Sequence, residues 1–275
     1  MSSATVEHPK VVSQAEWVAA RKAHLAKEKK LTRAYDELMQ ERRELPWVRV
    51  EKNYVFDGPN GKETLADLFA GRSQLIIKHF MFGPGWKDGC VGCSFGADHL
   101  DGALQHIERH DVKLAAVSRA PVPEIEAFKN RMGWGFKWVS SYDSDFNYDY
   151  HASFPKEAVA SGKGYYNYEE TDIWGEEMSG LSVFYKNAAG EIFHTYSCYA
   201  RGDEKIVGAY MLLDITPKGR NETGPRHNLT DWVRHHDRYD AGGSVDSSGR
   251  AVPSRTDAGA ASAAKSACGC DEHHS

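Results

Sequence analysis

The stretch Gln74-Leu75-Ile76-Ile77-Lys78-His79-Phe80-Met81-Phe82, then Gly83-Pro84-Gly85-Trp86-Lys87-Asp88-Gly89, then Cys90-Val91-Gly92-Cys93, decides the fold. A short apolar run bounded by Gly and Pro reads as a buried strand. The Gly-rich loop leads into a helix that starts at Val91 or Gly92 and runs to Arg109. Cys90 therefore stands at a helix N-terminus, where free N–H groups and the positive end of the dipole favour an anion. A thiolate is the nucleophile of disulfide exchange, and a free cysteine has a pKa of about 8.5. Cys93, one turn inside, is the more buried of the two and takes the resolving role. Three residues nearly complete a helical turn, which brings its sulfur within disulfide reach.

Strands and helices alternate from about Trp47 onward. A short strand is expected over Asn53 to Phe56 and a helix over Glu63 to Ala70, with Leu65, Leu68 and Phe69 on one face. Val112 to Ser118 and Lys137 to Ser140 read as strands, and Pro123 to Met132 as a helix. Leu181 to Tyr185 and Glu191 to Tyr196 form a hairpin closed by Asn187-Ala188-Ala189-Gly190, and a last helix covers about Asp203 to Leu213. This rhythm predicts an α/β domain over residues 47–240.

Three segments stand apart. Residues 1–46 are a helical extension: Ser13 and Glu16 make a capping box, no Gly or Pro interrupts the helix to Glu44, and Pro46 stops it. Its apolar stripe is Leu31, Ala34, Tyr35 and Leu38, which suits packing on the main domain or a homodimer seam. Residues 141–180 lack periodicity but hold nine aromatics, among them Tyr166 and Trp174, and nine acids against two lysines. So many aromatics favour burial, either as a packed insertion or as a substrate-facing lid. Residues 241–275, rich in Gly, Ser and Ala and ending Cys268-Gly269-Cys270-Asp271-Glu272-His273-His274-Ser275, are expected to be disordered.

The 275 residues are 41% apolar, carry a net charge of −5 and have a pI near 6.2. That balance lacks the basic face a nucleic-acid binder needs. No apolar run is long enough to span a membrane, and the N-terminus lacks a signal-peptide core. A cytoplasmic location follows as the default. Five cysteines, unevenly placed, do not make a disulfide framework. In a reducing compartment a close pair is redox-active or metal-binding more often than structural.

The run Leu65-Ala66-Asp67-Leu68-Phe69-Ala70-Gly71, with Leu75 to Phe80 and Trp86 to Cys93, resembles the start of thioredoxin-like and peroxiredoxin-like domains. A closer resemblance, from about Val11 to Asp240, is to a bacterial thioredoxin-like family of unknown function, often labelled predicted dithiol–disulfide oxidoreductases. Its marks are Glu16-Trp17 with Ala20-Arg21, Arg42-Arg43-Glu44-Leu45-Pro46-Trp47, Cys90-Val91-Gly92-Cys93-Ser94-Phe95 and His194-Thr195-Tyr196-Ser197. Tyr199-Ala200-Arg201-Gly202 and Leu213-Asp214-Ile215-Thr216-Pro217-Lys218-Gly219-Arg220 complete them. The resemblance implies a thioredoxin-like fold. Two departures stand out: Gly89 occupies the usual Trp position, and Gly180-Leu181-Ser182 stands where a cis-proline is usual. Gly83 and Lys87 replace the Pro and Thr that a peroxiredoxin carries before its reactive cysteine, which disfavours a peroxide site.

The candidate catalytic residues are Cys90 and Cys93, with His79 near the end of the preceding strand as a proton mover. Trp86, Ser94, His194, Tyr196 and Arg201 are candidates for substrate binding or support. Strand alternation places His194, Tyr196 and Cys198 on one face. The primary reading is a thiol–disulfide oxidoreductase without an organic cofactor, acting on a disulfide-containing protein or a small thiol compound. Its rival is a metal-binding protein or metallochaperone, in which Cys90, Cys93, His194 and Cys198 hold copper.

Overall fold

The computed structural model describes residues 10–220, 222–239, 244–245 and 251–252. Helix α1 (Gln14–Arg43) begins at the expected capping box of Ser13 and Glu16. None of its residues is buried, and Leu31, Tyr35 and Leu38 are all exposed. It leads to strand β1 (Val48–Arg49), then β2 (Val55–Gly58) and β3 (Gly61–Thr64). The helix expected from Glu63 starts only at Leu65, as α2 (Leu65–Leu68). Thr64 and Asp67 form its capping box, while Lys62 to Thr64 pair with β2 as a strand.

The central unit follows: β4 (Gln74–His79), α3 (Val91–Ile107), β5 (Val112–Ser118), α4 (Val122–Met132) and β6 (Lys137–Ser140). The insertion is built of α5 (Phe146–Asp149), α6 (Lys156–Ser161) and a hairpin of β7 (Lys163–Tyr166) and β8 (Glu169–Asp172). Strands β9 (Gly180–Lys186) and β10 (Ile192–Tyr199) make the C-terminal hairpin, and α7 (Gly208–Leu213) comes after a 3-10 segment over Ala200–Ile206.

Eight strands form one sheet in the order β1-β10-β9-β4-β5-β6-β2-β3. Strands β4, β5 and β6 run parallel, and β9 joins β4 antiparallel. A βαβ unit with an antiparallel hairpin beside its first strand is the thioredoxin-like arrangement. One face of the sheet packs on α3 and α4 through Phe80, Leu114, Ala97, Phe128 and Trp138. The other packs on α2 and the start of the insertion through Leu75, Ile77, Leu68, Phe146 and Tyr150.

The insertion lacks periodicity because its aromatics bury in clusters rather than along one element. Phe146 and Tyr150 lie under the sheet, while Phe154, Tyr166, Ile173 and Met178 gather around Tyr199. Glu177 ties it down, accepting from Ser153 Oγ at 2.6 Å and from Arg119 at 3.0 Å. No described helix is long and apolar enough to cross a membrane. Of the tail expected to be disordered, 244–245 and 251–252 are described, and their backbones pair antiparallel. The rest of it, with Cys268, Cys270, His273 and His274, lies outside the described residues.

Candidate active site

Cys90 is the N-cap residue of α3, and its N–H donates to Met81 O at 3.0 Å. The loop passes so close to the core that a Cβ on Gly89 would lie 2.6 Å from the Phe80 ring and 2.9 Å from Phe128. No side chain fits there, which explains why the usual Trp is missing. Both thiols are free and buried. The Cys93 thiol donates to Cys90, the N–H groups of Cys93 and Gly92 point at the same sulfur, and the Lys78 ammonium adds its charge; together they outweigh burial and bring Cys90 down to about 7. Cys93 is pushed well up by that same hydrogen bond, by burial and by the charge of Cys90. Met81 N–H donates to Cys93 Sγ at 3.5 Å.

Lys78, in the middle of an apolar strand, faces these thiols. Its side chain is almost wholly buried, and its ammonium donates to Asp203 at 2.6 Å. Burial opposes its charge, yet the Asp203 carboxylate and the neighbouring Cys93 hold its pKa above the ordinary lysine value. The site thus contains a fixed positive charge next to a buried thiol pair.

Above the pair opens a cavity of about 690 Å³. The sheet and α3 form its floor with Lys78, Cys90 and Cys93; the insertion contributes Tyr166 and Trp174, and the chain after β10 contributes Arg201, Asp203 and Val207. Residues 226–230 close the remaining side. The segment that follows them is pinned to the cysteine loop: His235 Nε2 lies 2.9 Å from Gly89 O, and Arg238 pairs with Asp88 at 2.9 Å.

A family model described as bacterial protein of unknown function (DUF899) matches residues 6–239. The chain belongs to this family. No curated protein matches it. Among solved structures it is similar to a mutant of peroxiredoxin Q from Xanthomonas campestris, at 14% identity over 59% of this chain and 91% of that one, with a TM-score of 0.39. It is also similar to the peroxidoxin BcpB from Mycobacterium tuberculosis (12% identity, 59% and 93% covered, TM-score 0.36). A third is the mitochondrial 2-cys peroxiredoxin from Plasmodium falciparum (12% identity, 62% and 94% covered, TM-score 0.36).

In this DUF899 chain His79 is not beside the thiols. It points to the other face of the sheet, fully buried, with Nε2 2.8 Å from Ser182 Oγ and Nδ1 3.3 Å from Asn147 Oδ1. Burial, its largest influence, lowers its pKa to about 3, so the ring is neutral. The expected common face of His194, Tyr196 and Cys198 is also corrected. A β-bulge between His194 and Tyr196 shifts the register. His194 joins the His79 face, 2.7 Å from Ser197 Oγ, which lies 2.8 Å from Ser182 Oγ. Cys198 pairs with Leu181, the partner of Lys78, and so faces the thiol side. Among the described residues no group of three or more His, Cys, Asp or Glu is arranged to hold a metal. His194 thus lies on the opposite face of the sheet from Cys198 and the thiol pair, so the structure does not bring Cys90, Cys93, His194 and Cys198, the four residues of the rival copper reading, together.

The other candidates separate in the same way. Ser94 spends its hydroxyl on Cys90 O at 2.9 Å, which fixes the helix start. Trp86 packs against the core cluster that holds the thiols. Arg201 lines the cavity and pairs with Glu204 at 2.8 Å. Tyr196 lies under the Arg42 guanidinium, 4.5 Å from its ring centre, and accepts from Lys205. Where a proline is usual, β9 begins with Gly180, whose Cβ would meet the Tyr199 ring at 2.6 Å. Sequence reasoning missed Lys78, Asp203 and residues 226–230. The one available signal was a lysine inside an apolar strand, one position from the histidine chosen instead.

Proposed function

We propose that this chain is a dithiol–disulfide oxidoreductase working through Cys90 and Cys93. The observation that carries the reading is the asymmetry of the pair: one thiol near 7 at a helix N-cap, and its partner held protonated one turn inside. At neutral pH a large share of Cys90 is thiolate, the form that attacks a disulfide. Attack forms a mixed disulfide and releases the first thiol. The Cys90 sulfur then carries no charge and no longer holds the Cys93 proton. Both influences that raise Cys93, other than burial, vanish at that moment, while the Lys78 ammonium remains to stabilise its thiolate. Cys93 attacks the Cys90 sulfur, closes the Cys90–Cys93 disulfide and releases the second thiol. Lys78 is thus the positioning charge for both steps, and Asp203 holds it in place. The exchange requires no organic cofactor, and a cytosolic pool of thiol reductant would return the pair.

The test is a redox titration in glutathione buffers, with acid trapping and mass measurement. A two-hydrogen change confined to Cys90 and Cys93 is expected, as is a mixed disulfide that accumulates in Cys93→Ser but not in Cys90→Ser. A pair that stays reduced across the glutathione range, or trapping through Cys93 instead, would overturn the assignment.

A further inference from the structure

The cavity specifies what kind of disulfide reaches the pair. Cys90 is only 6% exposed and Cys93 3%, so neither sulfur stands on a surface that a folded protein's disulfide can meet. They lie on the floor of a space of about 690 Å³, within the range of small-molecule sites. Three separate stretches of chain wall it in, and two of them are tied down by buried or part-buried contacts, at Glu177 and at His235.

The wall has no surplus charge. Its basic side chains Lys78, Arg201 and Arg226 are matched by Asp203, Glu204 and Glu222. Lys78 pairs with Asp203, Arg201 and Arg220 with Glu204, and Glu222 accepts from Tyr210. An ionic headgroup would therefore meet no net opposite charge on this wall. The rest of the lining mixes apolar groups with Ser179, His227, Asn228 and Thr230, and Trp174 is 60% exposed although it sits on the cavity wall. Phe95, by contrast, already packs its ring against Tyr210 and Trp232. Trp174 keeps open ring area for a planar guest.

We propose that the substrate is a small, uncharged organic disulfide with an aromatic group, seated against Trp174 in the cavity above Cys90. This rests on the dithiol reading of the same pair. In the step, the Cys90 thiolate bonds to one substrate sulfur as the substrate S–S bond breaks, and the departing thiolate takes a proton. Cys93 then displaces the second half. The substrate gains two electrons and the pair loses two; a small dithiol reductant restores the pair.

The experiment mixes pre-reduced full-length protein with single equivalents of four oxidants: neutral dithiodipyridine, anionic dithiobis-nitrobenzoate, neutral hydroxyethyl disulfide and insulin. Each rate is divided by that oxidant's rate with free mercaptoethanol, which removes intrinsic reactivity. Neutral dithiodipyridine should lead the other three by about tenfold, the scale of one or two aromatic contacts. Trp174→Ala should cut that preference by about three- to tenfold, and Trp174→Phe should keep most of it. Equal normalised rates for insulin, for the anionic probe or for hydroxyethyl disulfide would overturn the substrate class while leaving the dithiol reading intact. A preference untouched in a folded Trp174→Ala would do the same. Failure of every oxidant to remove two hydrogens from the pair would instead sink both.

Discussion

Lys78 and His79 are neighbours on one strand, and the two faces they look onto differ in kind. On the Lys78 face a buried charge pair stands beside two thiols and opens into a cavity. On the His79 face a neutral chain runs from Asn147 through His79, Ser182 and Ser197 to His194, sealed by the rings of Phe146 and Tyr150. A single proton arrangement satisfies it: His194 donates to Ser197, Ser197 to Ser182, Ser182 to His79, and His79 to Asn147. Both ring nitrogens of His79 and both serine hydroxyls have partners, so the chain braces the sheet. The lesson is that burial of a titratable group points to chemistry only where charge remains and a substrate can arrive.

The comparison breaks most readily at Lys78. Lys78→Met leaves the part-buried Asp203 carboxylate without its ammonium partner, and should destabilise the fold by about 3 kcal/mol in urea unfolding. The double change Lys78→Met with Asp203→Leu should recover much of that loss. Both variants should raise the pH at which Cys90 alkylates, because the ammonium that favours its thiolate is gone.

His79→Leu should cost about 1–3 kcal/mol by stranding Ser182 and Asn147, yet leave the Cys90 alkylation profile where it was. A shifted profile would erase the distinction between the faces. The pH dependence sharpens it. The folded ring has its pKa lowered from 6.5 to about 3, so its contribution is complete above about pH 6.5 and is lost as pH falls toward 3. Within that window the wild type should lose up to about 1.4 kcal/mol more per pH unit than His79→Leu.

On the thiol side, Cys93→Ala removes the largest influence on Cys90, so iodoacetamide labelling should shift upward from its midpoint near 7. Cys93→Ser, which still donates, should move it less. His194→Ala, at the open end of the neutral chain, should cost about 1 kcal/mol and leave reversible Cys90–Cys93 disulfide formation intact. Loss of the disulfide there would couple the faces after all. The smallest effect belongs to α1. Since none of its residues is buried, deleting residues 1–43 should change unfolding free energy by less than about 1 kcal/mol. Sedimentation of the same variant tests whether the expected homodimer seam runs along that helix.

Much of this was legible in local pattern. The strand before the cysteines, the helix after them, the parallel strands and the final hairpin were readable because apolar spacing and Gly or Pro punctuation are short-range signals. The insertion's elements were not, since Phe146, Tyr150, Phe154 and Tyr166 bury against partners far away in the chain. The face assignment of His194 failed for a comparable reason: a one-residue bulge reverses alternation, and pairing with β9 sets it.

By itself, the local pattern of the sequence determined an α/β frame and the placement of Cys90 and Cys93 at a helix start, because strand period, helix caps and loop glycines act over a few residues; the thioredoxin-like topology was implied by the family resemblance. Only the tertiary structure decided that Lys78 rather than His79 faces the thiols, that Asp203 partners it from 125 positions away, and that Trp174 and Tyr166 line the same cavity as the pair. Those choices depend on sheet register and on long loops closing over one face. The free energy that selects them comes from desolvation and packing between distant residues, which no local spacing encodes.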